Sequence, residues 1–82
     1  MRATVLVRPK PGILDPQGEA VERSLRQLGF AVREARVGRV IDVEVEADGL
    51  EEARSQVEAM CERLLANPLI ERFEIELEEN GA

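Results

Sequence analysis

At 82 residues the chain has room for one domain, spanning residues 1–82, and a domain of that size buries only about 60 to 65% of the surface its unfolded chain exposes. Its 17 acidic against 11 basic residues, a formal charge of -6, oppose a role as a general nucleic-acid binder, which needs a basic face for phosphates. The absence of His and the single cysteine, Cys61, exclude an internal disulfide framework, multi-cysteine metal sites and imidazole-based catalysis.

The first apolar stretch, Thr4 to Val7, is rich in β-branched residues and apolar on both alternating faces, which predicts a strand covered on two sides. It is too short for a secretory or membrane-spanning segment, so the chain is expected in the cytoplasm. Pro11 and Gly12 end the strand, and Asp15 then offers a side-chain acceptor to the free N–H groups of a helix starting at Pro16. Val21, Ser24, Leu25 and Leu28 recur at helical spacing, Glu19–Arg23 and Glu22–Arg26 form i,i+4 pairs, and Gly29 closes the helix as a left-handed cap. Gly18 falls in the first turn, where glycine costs up to about 1 kcal/mol against Ala. Gly18→Ala is therefore expected to stabilise the isolated chain.

From Phe30 the period changes to two, with Ala31, Arg33, Ala35 and Val37 alternating with Val32, Glu34 and Arg36, which predicts an edge strand. Gly38-Arg39 then reads as a two-residue hairpin into a strand with Ile41, Val43, Val45 and Ala47 on the core face and Asp42, Glu44 and Glu46 on an acidic, wet face. Asp48 followed by Glu51 is a capping-box pattern, opening a second helix with Leu50, Ala53, Val57, Met60, Cys61 and Leu64 inward. That helix must stop before Pro68. Leu69, Glu71, Phe73, Ile75 and Leu77 alternate with Ile70, Arg72, Glu74 and Glu76 to give a last strand, and Asn80-Gly81-Ala82 reads as a frayed tail.

The order β-α-β-β-α-β predicts an α+β two-layer sandwich of ferredoxin-like type, a four-stranded antiparallel sheet with two helices on one face. Because the central strand is apolar on both faces, the second face is expected to be covered by another copy of the chain, giving a dimer formed through the sheets.

Cys61 shares an apolar helix stripe with Val57, Leu64 and Leu65 and reads as a buried core thiol rather than a nucleophile. The alternating acids Asp42, Glu44, Glu46 and Glu74, Glu76, Glu78 read as solvated strand faces rather than as a magnesium site. Arg33 points to the opposite side from Arg36, so only Arg36 and Arg39 can act together on an anion or a partner's carboxylates. Gly12 and Gly18 flank a helix start but lack phosphate-loop spacing. No catalytic residue, cofactor-binding residue or metal ligand is assigned.

Several segments match one family in order and spacing over nearly the whole chain: Gly12-Ile13-Leu14-Asp15-Pro16-Gln17-Gly18-Glu19-Ala20-Val21, Leu28-Gly29-Phe30, Val37-Gly38-Arg39 and Met60-Cys61-Glu62-Arg63-Leu64-Leu65-Ala66-Asn67-Pro68-Leu69-Ile70-Glu71. The chain resembles the PurS-type small subunits of phosphoribosylformylglycinamidine synthase. Arg39 stands where many relatives carry Lys, a charge-preserving departure. The resemblance implies a non-catalytic subunit of an ATP- and glutamine-dependent ligase of de novo purine biosynthesis. In such a complex a synthetase subunit holds ATP, Mg²⁺ and the ribonucleotide, and a glutaminase subunit releases ammonia through a cysteine. The small subunit dimerises, or pairs again into tetramers, and bridges the two. It implies no cofactor on this chain and no nucleic-acid or membrane partner. Partner contacts are expected at Leu14, Asp15, Gln17 and Gly18 in the first turn, at Arg36, Gly38 and Arg39 in the hairpin, and at Asn67. The competing class is a ligand-binding regulatory module of ACT type, which shares this element order and would show a thermal shift with an amino acid.

Overall fold

The computed structural model describes residues 1–79; the tail Asn80-Gly81-Ala82 lies outside the described residues. The elements are β1 (Arg2–Pro9), α1 (Pro16–Gln27), β2 (Arg39–Glu44), α2 (Leu50–Met60) with a π turn continuing it over Cys61–Leu65, and β3 (Glu71–Glu78). They form an α+β fold around a sheet of order β2-β1-β3. The β-branched strand β1 is central and antiparallel to both neighbours, with Val5 opposite Ile41 on one side and Ile75 on the other.

Among the described residues the sheet has three strands, not four. The expected edge strand from Phe30 to Val37 is an irregular strap. Three of its backbone groups go to side chains instead of a ladder: Arg26 donates to the carbonyls of Val32 and Arg33, and the Val37 N–H donates to Asp15. Gly38-Arg39 is correspondingly not a hairpin turn. It carries the chain close over β1 into β2, and a Cβ on Gly38 would strike the Val7 carbonyl oxygen.

The inner face of the sheet holds the core. Ala3, Val5 and Val7 are buried together with Val45, Val57, Cys61 and Ala66, and Ala53 of α2 is buried as well. Val45, just beyond β2, stays in register through its N–H to the Met1 carbonyl and through its own carbonyl, which accepts from the terminal ammonium at 3.0 Å. The outer face does not have the apolar character on which the sheet-stacking expectation was argued. The register puts Arg2, Thr4, Leu6 and Arg8 of β1 beside Val40, Asp42 and Glu44 of β2 and beside Arg72, Glu74, Glu76 and Glu78 of β3. Leu6 and Val40 are the apolar residues in that set; charge dominates it, so an apolar second face does not exist.

The second helix also starts differently from the capping-box pattern. Gly49 is the N-cap and contributes no side chain, while the Asp48 N–H donates to Glu52 at 2.9 Å. A carboxylate four positions on, rather than three, reaches back to the entering backbone. At the other end the Ala66 N–H donates to the Cys61 carbonyl, an i to i+5 bond, and this wider turn rotates the following residues relative to an α-helical stripe. Leu64 is therefore 82% exposed and Ala66 is buried. Leu50, expected inward, is exposed too.

Helix α1 does not cover the sheet. Gly18 is its only buried residue, and α2 supplies the helical packing against β3. The molecule is consequently elongated, 50 × 30 × 14 Å with a radius of gyration of 16.1 Å, where a compact chain of this length has about 12 Å. The arm of α1 and the strap leaves Val21, Leu28 and Phe30 exposed.

The π turn makes a discriminating pair of substitutions. Val57→Ala is expected to lower unfolding stability by about 2 kcal/mol through the lost packing and residual void. Leu64→Ala, on the same stripe if the helix were regular, should cost less than about 0.5 kcal/mol. Chemical denaturation of both variants checks this, and equal losses would contradict the rotated packing.

Candidate partner-docking site

Asp15 is the node of the arm. Its backbone is the N-cap of α1, Pro16 supplies a helix-ready φ at the first position, and its Oδ1 accepts from the Gly18 N–H at 3.1 Å. Its Oδ2 accepts from the Val37 N–H at 2.8 Å, a residue twenty-two positions away. One carboxylate thus caps the helix and pins the end of the strap to it. The Val37 and Gly18 hydrogen bonds, with the Arg36 charge, hold the Asp15 carboxyl below its ordinary value against a small opposing effect of burial.

Gly18 completes the latch by what it lacks. A Cβ there would run into the Ala35 carbonyl oxygen as well as the Asp15 carboxylate. The glycine admits a close backbone approach, and the approaching backbone belongs to this same chain. Gly18 is buried, so its side is closed to another protein, and the expectation that Gly18→Ala stabilises the isolated chain is reversed.

Further along the strap, the Arg36 guanidinium donates to the Lys10 carbonyl at 3.0 Å. Arg39 grips Glu71 with both terminal nitrogens, at 2.7 and 3.1 Å, and also donates to the Leu65 carbonyl. Glu71 accepts in turn from the Asn67 N–H at 2.8 Å. Asn67 closes the turn before β3, its side-chain oxygen accepting from the Leu69 N–H and its carbonyl from the Ile70 and Glu71 N–H groups. The bidentate Arg39 contact lowers the Glu71 carboxyl and raises Arg39 further, each through the hydrogen bond to the other. This pair ties β2 to β3 across the end of the sheet.

These two clusters meet at one cleft of about 240 Å³, lined among others by Leu14, Asp15, Gln17, Gly38, Arg39 and Ile70. Five of the residues picked out in the sequence therefore share a wall: Leu14, Asp15, Gln17, Gly38 and Arg39. Gly18 lies behind that wall and Asn67 on the neighbouring turn. Arg36 lies off the cleft, with Arg39 beside an adjoining one floored by Leu6, Val7 and Val40. Leu14 is 82% exposed at the mouth. Ile70 was missed because it read as a strand residue; it sits in the turn before β3, half-exposed. Its position beside Pro68 and Asn67, two turn-formers, was the available signal.

Two further features limit the chemistry. Cys61 is buried, and burial, with Glu58 and Glu62 adding to it, pushes its thiol up, the opposite of what a nucleophile needs. Among the described residues no three His, Cys, Asp or Glu side chains are grouped to hold a metal ion, and no helix is long and apolar enough to cross a membrane.

The latch carries two expected outcomes. Gly18→Ala should destabilise the chain by about 1 to 3 kcal/mol, because overpacking against a backbone carbonyl forces a shift, and should raise amide exchange at Val37. Unchanged exchange there would refute the close-approach role. The pH dependence follows from the lowered Asp15 and Glu71 carboxyls. A depressed folded value contributes stability that is present above the ordinary carboxylate range and lost as pH falls through the folded value. Val37 and Asn67 amide protection should accordingly hold at neutral pH and fall together on acidification below about pH 4, as followed by NMR hydrogen exchange.

The sequence profile of the PurS family, phosphoribosylformylglycinamidine (FGAM) synthase, matches residues 2–79. The PurS subunit of that synthase from Methanocaldococcus jannaschii is 40% identical over 79 residues, covering 95% of both chains. The one from Archaeoglobus fulgidus is 42% identical over 76 residues, covering 92% of this chain and 95% of its own. A chain of the solved PurLQS structure from Thermotoga maritima superposes with a TM-score of 0.84 at 38% identity, covering 92% of this chain and 93% of that one. The chain therefore belongs to the PurS family, the PurS subunits of phosphoribosylformylglycinamidine synthase, a ligase of purine biosynthesis.

Proposed function

We propose that this chain is a non-catalytic bridging subunit, holding the synthetase and glutaminase chains of its enzyme in the relation that lets ammonia pass from one to the other. The observation that carries the reading is the likeness to a chain of the Thermotoga maritima PurLQS structure over nine-tenths of both lengths. In the reaction so served, formylglycinamide ribonucleotide, glutamine and ATP give formylglycinamidine ribonucleotide, with ATP and Mg²⁺ on the synthetase and none on this chain. Bridging contributes by position: ammonia delivered at a fixed distance and orientation reacts as an intramolecular group rather than as a dilute solute. Such an assembly works in the cytoplasm.

The cleft at Leu14, Gln17, Gly38 and Arg39 is the proposed partner contact, with Arg36 and Asn67 at its margins. Leu14 is the residue with most to gain, since an exposed leucine at the mouth of a rigid cleft loses little side-chain freedom on docking and buries its whole surface. Asp15 and Gly18 act behind it by fixing the turn. The chain also pairs with itself. The charged outer sheet face gives no hydrophobic reason for stacking, whereas the arm exposes Val21, Leu28 and Phe30, apolar surface that a second copy can cover.

Reconstitution from purified chains tests the reading. Glutamine-dependent synthesis should require this chain while ammonia-dependent synthesis should not, and Leu14→Asp should reduce co-elution with the other subunits without lowering the melting temperature. Glutamine-dependent synthesis that proceeds equally well without the chain would end the bridging role. A monomer mass by light scattering would end the pairing.

A further inference from the structure

Charge on the outer sheet face is sorted along its length. At the end near Arg2 lie Asp42, Glu44, Glu76 and Glu78. At the other end β1 and β3 place two arginines directly opposite each other, Arg8 and Arg72. Like charges at opposed positions of an antiparallel pair repel. Glu74 relieves one of them, pairing with Arg8 at 3.0 Å. The Arg72 side chain has no hydrogen bond or ion pair among the described residues. Arg36, from the strap, joins both at an open cavity of about 240 Å³ whose remaining wall is the Pro9 to Gly12 turn and Glu34. Three guanidinium groups here meet two carboxylates, Glu34 in the wall and Glu74 on Arg8, a net positive patch on a chain of charge -6.

Beside this cavity, and sharing Arg8, Pro9 and Arg36 with it, opens a second cleft of about 310 Å³ floored by Leu6, Val7 and Val40. Leu6 and Val40 are the apolar residues of an otherwise charged face, and Val40 is 61% exposed. An arginine pocket adjoining an apolar cleft has the form of a site for an anion with an apolar body. Guanidinium forks match phosphate oxygens two at a time, and an anion between Arg8 and Arg72 turns their repulsion into shared attraction.

We infer that the Arg8, Arg36 and Arg72 cavity binds the phosphate group of a small phosphate ester, whose body lies in the Leu6 and Val40 cleft. The site adjoins the Leu14 cleft, whose Pro9, Gly38 and Arg39 also line the Leu6 and Val40 cleft, but Arg8 and Arg72 lie outside the proposed partner contact and the assignment does not depend on the bridging role. A phosphate ester is favoured over an acidic protein segment because the pocket is small and concave and the apolar floor lies immediately beside it.

Titration calorimetry of the full chain at low ionic strength tests this with inorganic phosphate and with AMP as probes. Both should bind saturably, AMP the more tightly, and Arg72→Gln should weaken both by about tenfold or more, the effect of one lost charge-assisted contact. Arg23→Gln, on the exposed side of α1, should change neither. Absence of saturable phosphate binding, or equal affinity in Arg72→Gln and the parent, overturns the site. AMP no tighter than phosphate overturns the place assigned to the body. Loss of co-elution with the other subunits in Arg72→Gln, where phosphate fails to bind, makes the arginines a protein contact and likewise overturns it.

Discussion

One carboxylate holds together two parts of the chain that no packed core joins. Asp15 accepts from Gly18 inside the helix start and from Val37 at the end of the strap, so the arm of α1 and residues 30–37 moves as one piece with the entry to β2. Hydrophobic burial cannot do this job here, because Gly18 is the sole buried residue of α1. Polar contacts substitute: Arg26 binds two strap carbonyls and Glu22, and the Val37 N–H goes to Asp15. Exposed hydrogen bonds of this kind are individually worth little. Their number and the glycine-enabled approach of Ala35 to the helix fix the geometry together.

A second polar clamp does for the sheet what Asp15 does for the arm. Arg39 begins β2 and Glu71 begins β3, and their bidentate pair joins the ends of the two strands flanking β1. Because Arg39 also takes up the Leu65 carbonyl at the close of the π turn, helix exit, turn and strand start share one guanidinium. A lysine could supply the charge but not the fork. The cleft beside Leu14 is therefore walled by two rigid corners, and a contact residue on a preset surface pays little entropy on docking.

What could be read from the residues divides along physical lines. The Asp15 cap, Pro16 at the first helical position and Gly29, at φ 97°, are local devices whose chemistry is complete within a few residues, and they stand where the sequence puts them. The central strand was legible by its β-branched apolar run and the Glu71–Glu78 strand by its alternation. The strap was not, because alternation at Ala31, Arg33, Ala35 and Val37 records only a two-sided environment. The hairpin partner it implied is β2, whose outer edge is open, but Gly38 carries the chain over β1 instead of back along β2, and the Val37 N–H goes to Asp15. Leu64 failed similarly: helical spacing assumes i+4 bonds, and one i+5 bond turned it outward. Of the candidate site, the residue types were readable, but not that Gly18 faces inward and Leu14 outward. That distinction arises from a contact seventeen residues away, between Gly18 and Ala35.

The elongated shape follows from the same economy. A core of small and medium apolar residues, Ala3, Val5, Val7, Val57, Cys61 and Ala66 among them, is enough to order one helix against three strands. It does not draw in the other helix, and Ile41 and Val43 on the inner face stay only partly buried. The arm nonetheless keeps apolar side chains in water, Val21 of α1 at 41%, Leu28 at its C-cap at 74% and Phe30 of the strap at 59% exposure. Side chains of that size left in water lose about 25 cal/mol for each Å² that burial would have removed. An isolated chain gains nothing from keeping them, whereas a chain that spends its life in a complex does, because the surface uncovered in one protomer is the surface available to bind. The polar latches serve the same end: they hold the arm extended, so that its apolar side faces outward rather than folding back onto the sheet it could otherwise cover.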